Sequence, residues 1–166
     1  MMEDFGQIYD TYVVKIYRFI ALKVSSQEVA EDLCSEVFVR AFDRSQKEDI
    51  EYMQAFLYQI ARHIIADYYR EGENFRIVPI EAAYEVADPQ DSLFEAAVLS
   101  SEMEEVKKAL SSLRDEYQNF IIWRYLEELS ISEIAQITGK TEGNVRVGVH
   151  RALGALREVS HALFGW

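Results

Sequence analysis

Cysteine, proline, glycine and basic residues are all scarce in this 166-residue chain, and each scarcity closes off a class of protein. The single cysteine, Cys34, leaves no intramolecular disulfide to form and no second thiol to share a metal, which fits a reducing compartment. No apolar run approaches the roughly 18 residues that span a membrane, and the opening MMEDFGQIYD is acidic where a secretory signal is basic and then apolar. A cytoplasmic location without a membrane span is expected. With only 2 prolines and 7 glycines, long stretches of Ala, Leu, Glu, Lys and Gln run uninterrupted, and few β-branched alternations compete with helix. Hydrophobic residues at 49% and aromatics at 13% are enough to bury real cores and exclude a disordered tail. An all-α fold follows.

Both prolines, Pro79 and Pro89, fall within residues 76–99, RIVPIEAAYEVADPQDSLFEAAVL. Proline disfavours helix in the residue before it and removes a backbone donor, so this stretch reads as an acidic linker between two small helical domains, residues 1–75 and 100–166. Basic residues number 17 against 29 acidic ones, a formal net charge of -12. The deficit is concentrated in the first domain and the linker. Within 140–166 the sign reverses, with Lys140, Arg146, Arg151 and Arg157 against Glu142 and Glu158. Clustered positive charge is the footprint of a nucleic-acid contact, although a solvated helix face carries the same residues.

That basic cluster sits on ISEIAQITGKTEGNVRVGVHRALGALRE, residues 131–158. Ser130 with Glu133 forms a capping box at the start of one helix. Ile131, Ile134, Ala135 and Thr138 then share a face, Gly139 can take the left-handed conformation that ends the helix, and Thr141 can cap the next. In the second helix Val145, Val149, Ala152 and Leu156 share an inward face while Asn144, Val147, His150 and Arg151 point away. This is the pattern of a helix-turn-helix, whose second helix enters the major groove with its N-terminal residues nearest the base edges. Asn144 and Arg146 are expected at or near bases, and Lys140, Arg151 and Arg157 at phosphates, with Thr141, Val147 and His150 completing the surface.

Two segments of the first domain carry further pattern. In VAEDLCSEVFVRAF, residues 29–42, the side chains of Leu33, Val37, Phe38 and Ala41 make one apolar stripe; in AFLYQIARHIIADYYR, residues 55–70, Leu57, Ile60, Ala61, Ile64 and Tyr68 make another. The first segment resembles the (D)AEDLxQExFxRAF helix of the bacterial sigma-70 family of RNA polymerase sigma factors, in its small two-domain extracytoplasmic-function group. It matches at Ala30, Glu31, Asp32, Leu33, Glu36, Phe38, Arg40, Ala41 and Phe42. The second is similar to that family's WLxxIAxNxxxDxxR helix, here Phe56, Leu57, Ile60, Ala61, His63, Asp67 and Arg70. The stretch from Leu113 through the helix-turn-helix is similar to its promoter-reading domain.

The resemblance implies a factor that binds core RNA polymerase and promoter DNA and answers to an anti-sigma factor, with no catalytic residue, metal or cofactor of its own. Glu31, Asp32, Glu36 and Arg40 would dock on the β′ clamp helices, with the β flap as a further polymerase contact. The loop DRSQKEDIEYMQ and the helix after it would capture the minus-10 element through Tyr52, Phe56, Tyr58, Gln59, Arg62, His63 and Arg70, the aromatics stacking on unpaired bases. The helix-turn-helix would read the minus-35 element.

Two departures stand out. Gly148 occupies a position where the family commonly has arginine, which predicts a lost phosphate contact and a helix cost of roughly 1 kcal/mol relative to alanine. His63 replaces the usual asparagine. The competing readings are a sigma-like decoy that binds an anti-sigma factor without serving a promoter, and a stand-alone helix-turn-helix repressor. A third is an enzyme using His63 and Asp67 at i,i+4 as metal ligands, but no third ligand pattern, phosphate loop or nucleophile motif accompanies that pair.

Overall fold

The structure, a computed structural model, describes residues 4–71 and 101–165. These residues form seven helices and no strand: α1 (Phe5–Ala21), α2 (Gln27–Ser45), α3 (Met53–Glu71), α4 (Ser101–Ser111), α5 (Asp115–Ile121), α6 (Ile131–Thr138) and α7 (Glu142–Phe164). They divide into two compact units, one holding α1–α3 and the other α4–α7. The acidic linker expected over 76–99 lies outside the described residues.

In the first unit α1 and α2 begin where the sequence supplies a cap. The Asp4 carboxylate accepts from the Gly6 amide at 3.2 Å, and the Ser26 hydroxyl accepts from the Val29 amide at 3.4 Å, each satisfying an amide that has no partner inside its helix. The three helices pack on one another around Ile16, Phe19, Ile20, Leu33, Leu57, Tyr58 and Ile64, all essentially inaccessible to water. Each such side chain contributes about 1.5–3 kcal/mol by leaving solvent. At the N-terminal end of α1, Phe5 and Tyr9 meet Phe38 edge-on, with ring centroids 6.5 and 5.0 Å apart. Cys34 is buried in this core, and burial pushes its thiol pKa up.

The α2 stripe is buried as expected. On α3 the buried sector is wider than the sequence stripe: Ala55, Tyr58 and Ile65 join Leu57, Ala61 and Ile64, while Ile60 and Tyr68 are only half-buried. The reason is that α3 packs against both α1 and α2, so two adjoining faces are covered.

In the second unit, α5 runs on into a π-helical turn, Ile122–Leu126, in which the Glu127 amide donates to the Ile122 carbonyl at 2.9 Å. Glu128 then adopts a left-handed conformation, φ 55°. The chain is held there by the Leu129 amide on the Trp123 carbonyl at 2.8 Å and by the Arg124 guanidinium on the Leu129 carbonyl at 2.9 Å. This reversal delivers Ser130 to the start of α6. Leu110, Phe120, Ile122, Trp123, Ile134, Val145 and Ala152 form the core. No described helix is long and apolar enough to cross a membrane.

Candidate nucleic-acid interface

α6 and α7 are built by the caps that the sequence announces. Ser130 accepts from the Glu133 amide at 3.0 Å while the Glu133 carboxylate accepts from the Ser130 amide at 2.9 Å, closing the capping box. Gly139 ends α6 at φ 73°, a conformation that a side chain would oppose. Thr141 accepts from the Asn144 amide at 3.1 Å and starts α7. Within α6, Ile134 and Ile137 are the buried pair, with Ile131, Ala135 and Thr138 half-buried at its margin. The sequence stripe omitted Ile137. Thr138 instead turns its hydroxyl to the Ile134 carbonyl at 3.0 Å and takes a bond from the Lys140 amide at 3.2 Å.

α7 presents its two faces as expected. Val145, Val149 and Ala152 are buried and Leu156 half-buried, while Asn144, Arg146, Val147, His150, Arg151 and Arg157 are exposed. The cations differ in their partners. Lys140, in the turn, is bound to Glu116 of α5 at 2.6 Å, and Arg146 lies 3.6 Å from Glu142 in its own helix. Arg151 and Arg157 hold no ion pair among the described residues. Two cations are therefore unmatched, and two would exchange an exposed carboxylate for a phosphate, a small cost because exposed pairs are worth about 0–1 kcal/mol.

Gly148 corrects one expectation. A Cβ built there would lie 2.5 Å from Cε2 and 2.8 Å from Cζ of Phe120. Half-exposed Gly148 admits the Phe120 ring, so alanine is not the easier residue there that helix propensity alone predicts.

On α3, Gln59, Arg62, His63 and Arg70 are exposed along one side, and Arg70 pairs with Asp67. Asp67 is thus engaged by a cation one turn away, and no group of three potential metal ligands occurs among the described residues. Tyr52 is 52% exposed, just ahead of α3. Phe56 is half-buried beneath the Arg44 guanidinium, which stands 6.0 Å from its centroid. Tyr58 is the second correction. It is 0% exposed and lies edge-on to Phe19 with centroids 5.4 Å apart, so its ring belongs to the core and cannot stack on a base.

Around α2, Glu36 and Arg40 form an i,i+4 pair at 2.8 Å, and Glu31 accepts from Gln27 at 3.1 Å. Asp32 is half-buried, with its Oδ2 atom shielded from solvent and without a hydrogen-bond partner. Desolvation, then the nearby Glu31 and Glu28 charges, push its pKa up to about 6. Val39, 63% exposed, stands among these charged residues and was absent from the sequence reading. The available signal was helical spacing: with Val37 in the core, a residue two positions on points to the opposite side. Phe42, 48% exposed, extends the apolar part of this face.

Comparison with known proteins bears on both units. A family model described as "Sigma-70 region 2" matches residues 8–74, and one described as "Sigma-70, region 4" matches residues 103–156. The chain is 32% identical over 164 residues to the ECF RNA polymerase sigma factor BldN of Streptomyces coelicolor, covering 93% of this chain and 59% of that one. It is 30% identical to SigW and 31% to SigM, both ECF RNA polymerase sigma factors of Bacillus subtilis. These alignments cover 94% and 91% of this chain, and 88% and 91% of the relatives. Among solved structures, CnrH in complex with the cytosolic domain of CnrY superposes with a TM-score of 0.70 at 20% identity, over 96% of this chain and 88% of that one. The sigma factor RpoE in complex with the anti-sigma factor NepR, from Bartonella quintana, gives 0.67 at 22%, over 95% and 97%. At those identities the likeness establishes the fold.

Proposed function

Because this chain belongs to the sigma-70 family of RNA polymerase sigma factors, and to its extracytoplasmic-function group, we propose that it binds core RNA polymerase and directs initiation at specific promoters, α7 reading the minus-35 element and the first unit opening the minus-10 element. The family consists of transcription initiation factors and not enzymes, and this chain acts through binding alone, in the cytoplasm. The observation that carries the proposal is the exposed row Asn144, Arg146, Val147, His150 and Arg151 on a capped helix whose opposite side is core. A chain of net charge -12 has little long-range attraction for DNA, itself a dense line of phosphates. Docking on polymerase removes the difficulty, since the encounter with promoter becomes effectively intramolecular and only the local surface of α7 has to suit the groove.

Docking falls to Glu31, Asp32, Glu36 and Arg40 on the β′ clamp helices, with Val39 and Phe42 supplying apolar area, while the second unit meets the β flap. The loop between α2 and α3 walls an open cleft floored by Phe5, Ile8, Phe42 and Met53 and edged by Glu48, Asp49 and Glu51. Carboxylates repel phosphate, so this cleft suits an unpaired base of the minus-10 element, with Tyr52 as the exposed aromatic beside it. Gln59, Arg62, His63 and Arg70 line the adjoining duplex path. An anti-sigma factor is the expected regulator, as one structural relative, RpoE, is a sigma factor held in such a complex. The decoy reading is favoured by one observation, the acidic partners that Lys140 and Arg146 carry on the reading surface. Runoff transcription with core polymerase on a pool of random promoters separates the two. Promoter-specific transcripts that weaken with Arg146→Ala and fail with Asp32→Ala are expected; polymerase or anti-sigma binding without any transcript establishes the decoy.

A further inference from the structure

Three glycines lie in α7, and only one of them touches anything. Cβ atoms built at Gly143 and Gly154 meet no atom within 4 Å, whereas one at Gly148 falls on the Phe120 ring. Gly148 has no positive φ, so backbone freedom does not explain its presence as the seventh residue of a 23-residue helix. Close approach does. Phe120 is 1% exposed and belongs to the same buried core as Trp123, Ile122 and Val145, so making room for a side chain means disturbing packed interior. One helical turn earlier on α5, Glu116 holds Lys140 at 2.6 Å. α5 therefore meets the helix-turn-helix at two places, through an exposed and exchangeable ion pair at the turn before α7 and through close steric contact at Gly148.

We propose that Gly148 is a positioning residue: by admitting the Phe120 ring it sets how α7 sits on α5, and thereby which minus-35 sequences the exposed residues on either side of it select. This rests on the promoter-reading function proposed above. The consequence follows from geometry. Val147 and His150 flank Gly148, with Asn144 and Arg151 a turn away on the same outward surface. A Cβ at 148 must displace either a core ring or the helix itself, and a displaced helix carries all four side chains with it. Hydrogen bonds to base edges lose their geometry within a few tenths of an ångström, so a shift of that order changes sequence preference as well as affinity.

The test uses the full chain assembled with core RNA polymerase, transcribing a promoter pool randomised only in the minus-35 element, with a fixed minus-10 element. Gly148→Ala is expected to lower yield roughly tenfold, the scale of overpacking strain, and to reorder the selected minus-35 sequences. Phe120→Leu/Gly148→Ala, which removes the colliding ring atoms, is expected to restore the parent ranking, and Gly154→Ala to leave it unchanged. A Gly148→Ala protein that melts at lower temperature yet keeps the parent ranking overturns the proposal, as does a reordered ranking that the double variant fails to restore. Should Gly148→Ala not fold, Phe120→Leu alone reads the same seating: a broadened preference supports it and an unchanged one overturns it. A parent with no minus-35 preference would defeat the promoter-reading function itself, a result distinct from a parent whose preference the variants leave untouched.

Discussion

Asp32 holds one carboxylate oxygen away from solvent with no donor to meet it, and its pKa rises to about 6. The folded-state value lies above the ordinary value of about 4, so ionisation costs stability only in the folded protein. That cost is absent below about pH 4, accumulates between about pH 4 and 6, and is fully present above. Asp32→Asn is therefore expected to stabilise the chain by about 1 kcal/mol near pH 7, after discounting for the side chain's partial exposure, and to have no effect near pH 4. Thermal unfolding at the two pH values checks this, and an equal shift at both would refute it. A cation supplied by a docking partner would relieve the same cost, which suits Asp32 to the polymerase contact proposed for it. The aromatic residues divide by the same logic of burial. Tyr58→Ala is expected to cost about 3–5 kcal/mol and lower the melting temperature sharply, as for a truncated core aromatic. Tyr52→Ala should leave the melting temperature unchanged while reducing promoter opening, measured by permanganate reactivity of unpaired thymines. Sequence alone could not separate these two tyrosines by type. It could have done so by spacing, since Tyr58 falls three residues after Ala55 and three before Ala61, on the flank that α3 buries.

Elements were legible wherever a residue type has one local use. Ser130 with Glu133, Gly139 and Thr141 each announce a helix end, and the structure has each end where the sequence places it. Ser130→Ala should cost about 1 kcal/mol, read by chemical denaturation, with α6 losing its amide protection from hydrogen exchange first. A variant as stable as the parent would mean that the box is ornamental. The turn ahead of α6 was not legible. A π-helical turn has no residue signature, and the left-handed residue that follows it is Glu128, where glycine or asparagine would have given the reversal away. Gly148 was misread for a related reason. Its neighbour Phe120 is 28 positions away, and a glycine that admits a distant ring looks in sequence like a helix defect.

At the scale of the whole molecule, composition anticipated an all-helical chain in two units, and motif order anticipated the family, because three short patterns in sequence order constrain far more than any one of them. Composition could not show how charge is deployed. Acidic residues pair with Lys140 and Arg146 in the free protein, leaving Arg151 and Arg157 as the cations of α7 without an ion pair among the described residues. A surface with so few free cations gives weak binding that salt disrupts easily. On the function proposed, this protein therefore reaches its promoter only in the company of polymerase. The most direct test is fluorescence anisotropy of a labelled promoter duplex selected from the random pool, titrated with the chain alone and with the chain plus core polymerase. Sequence-specific binding that appears only with polymerase is predicted. Tight, specific binding by the free chain would contradict it.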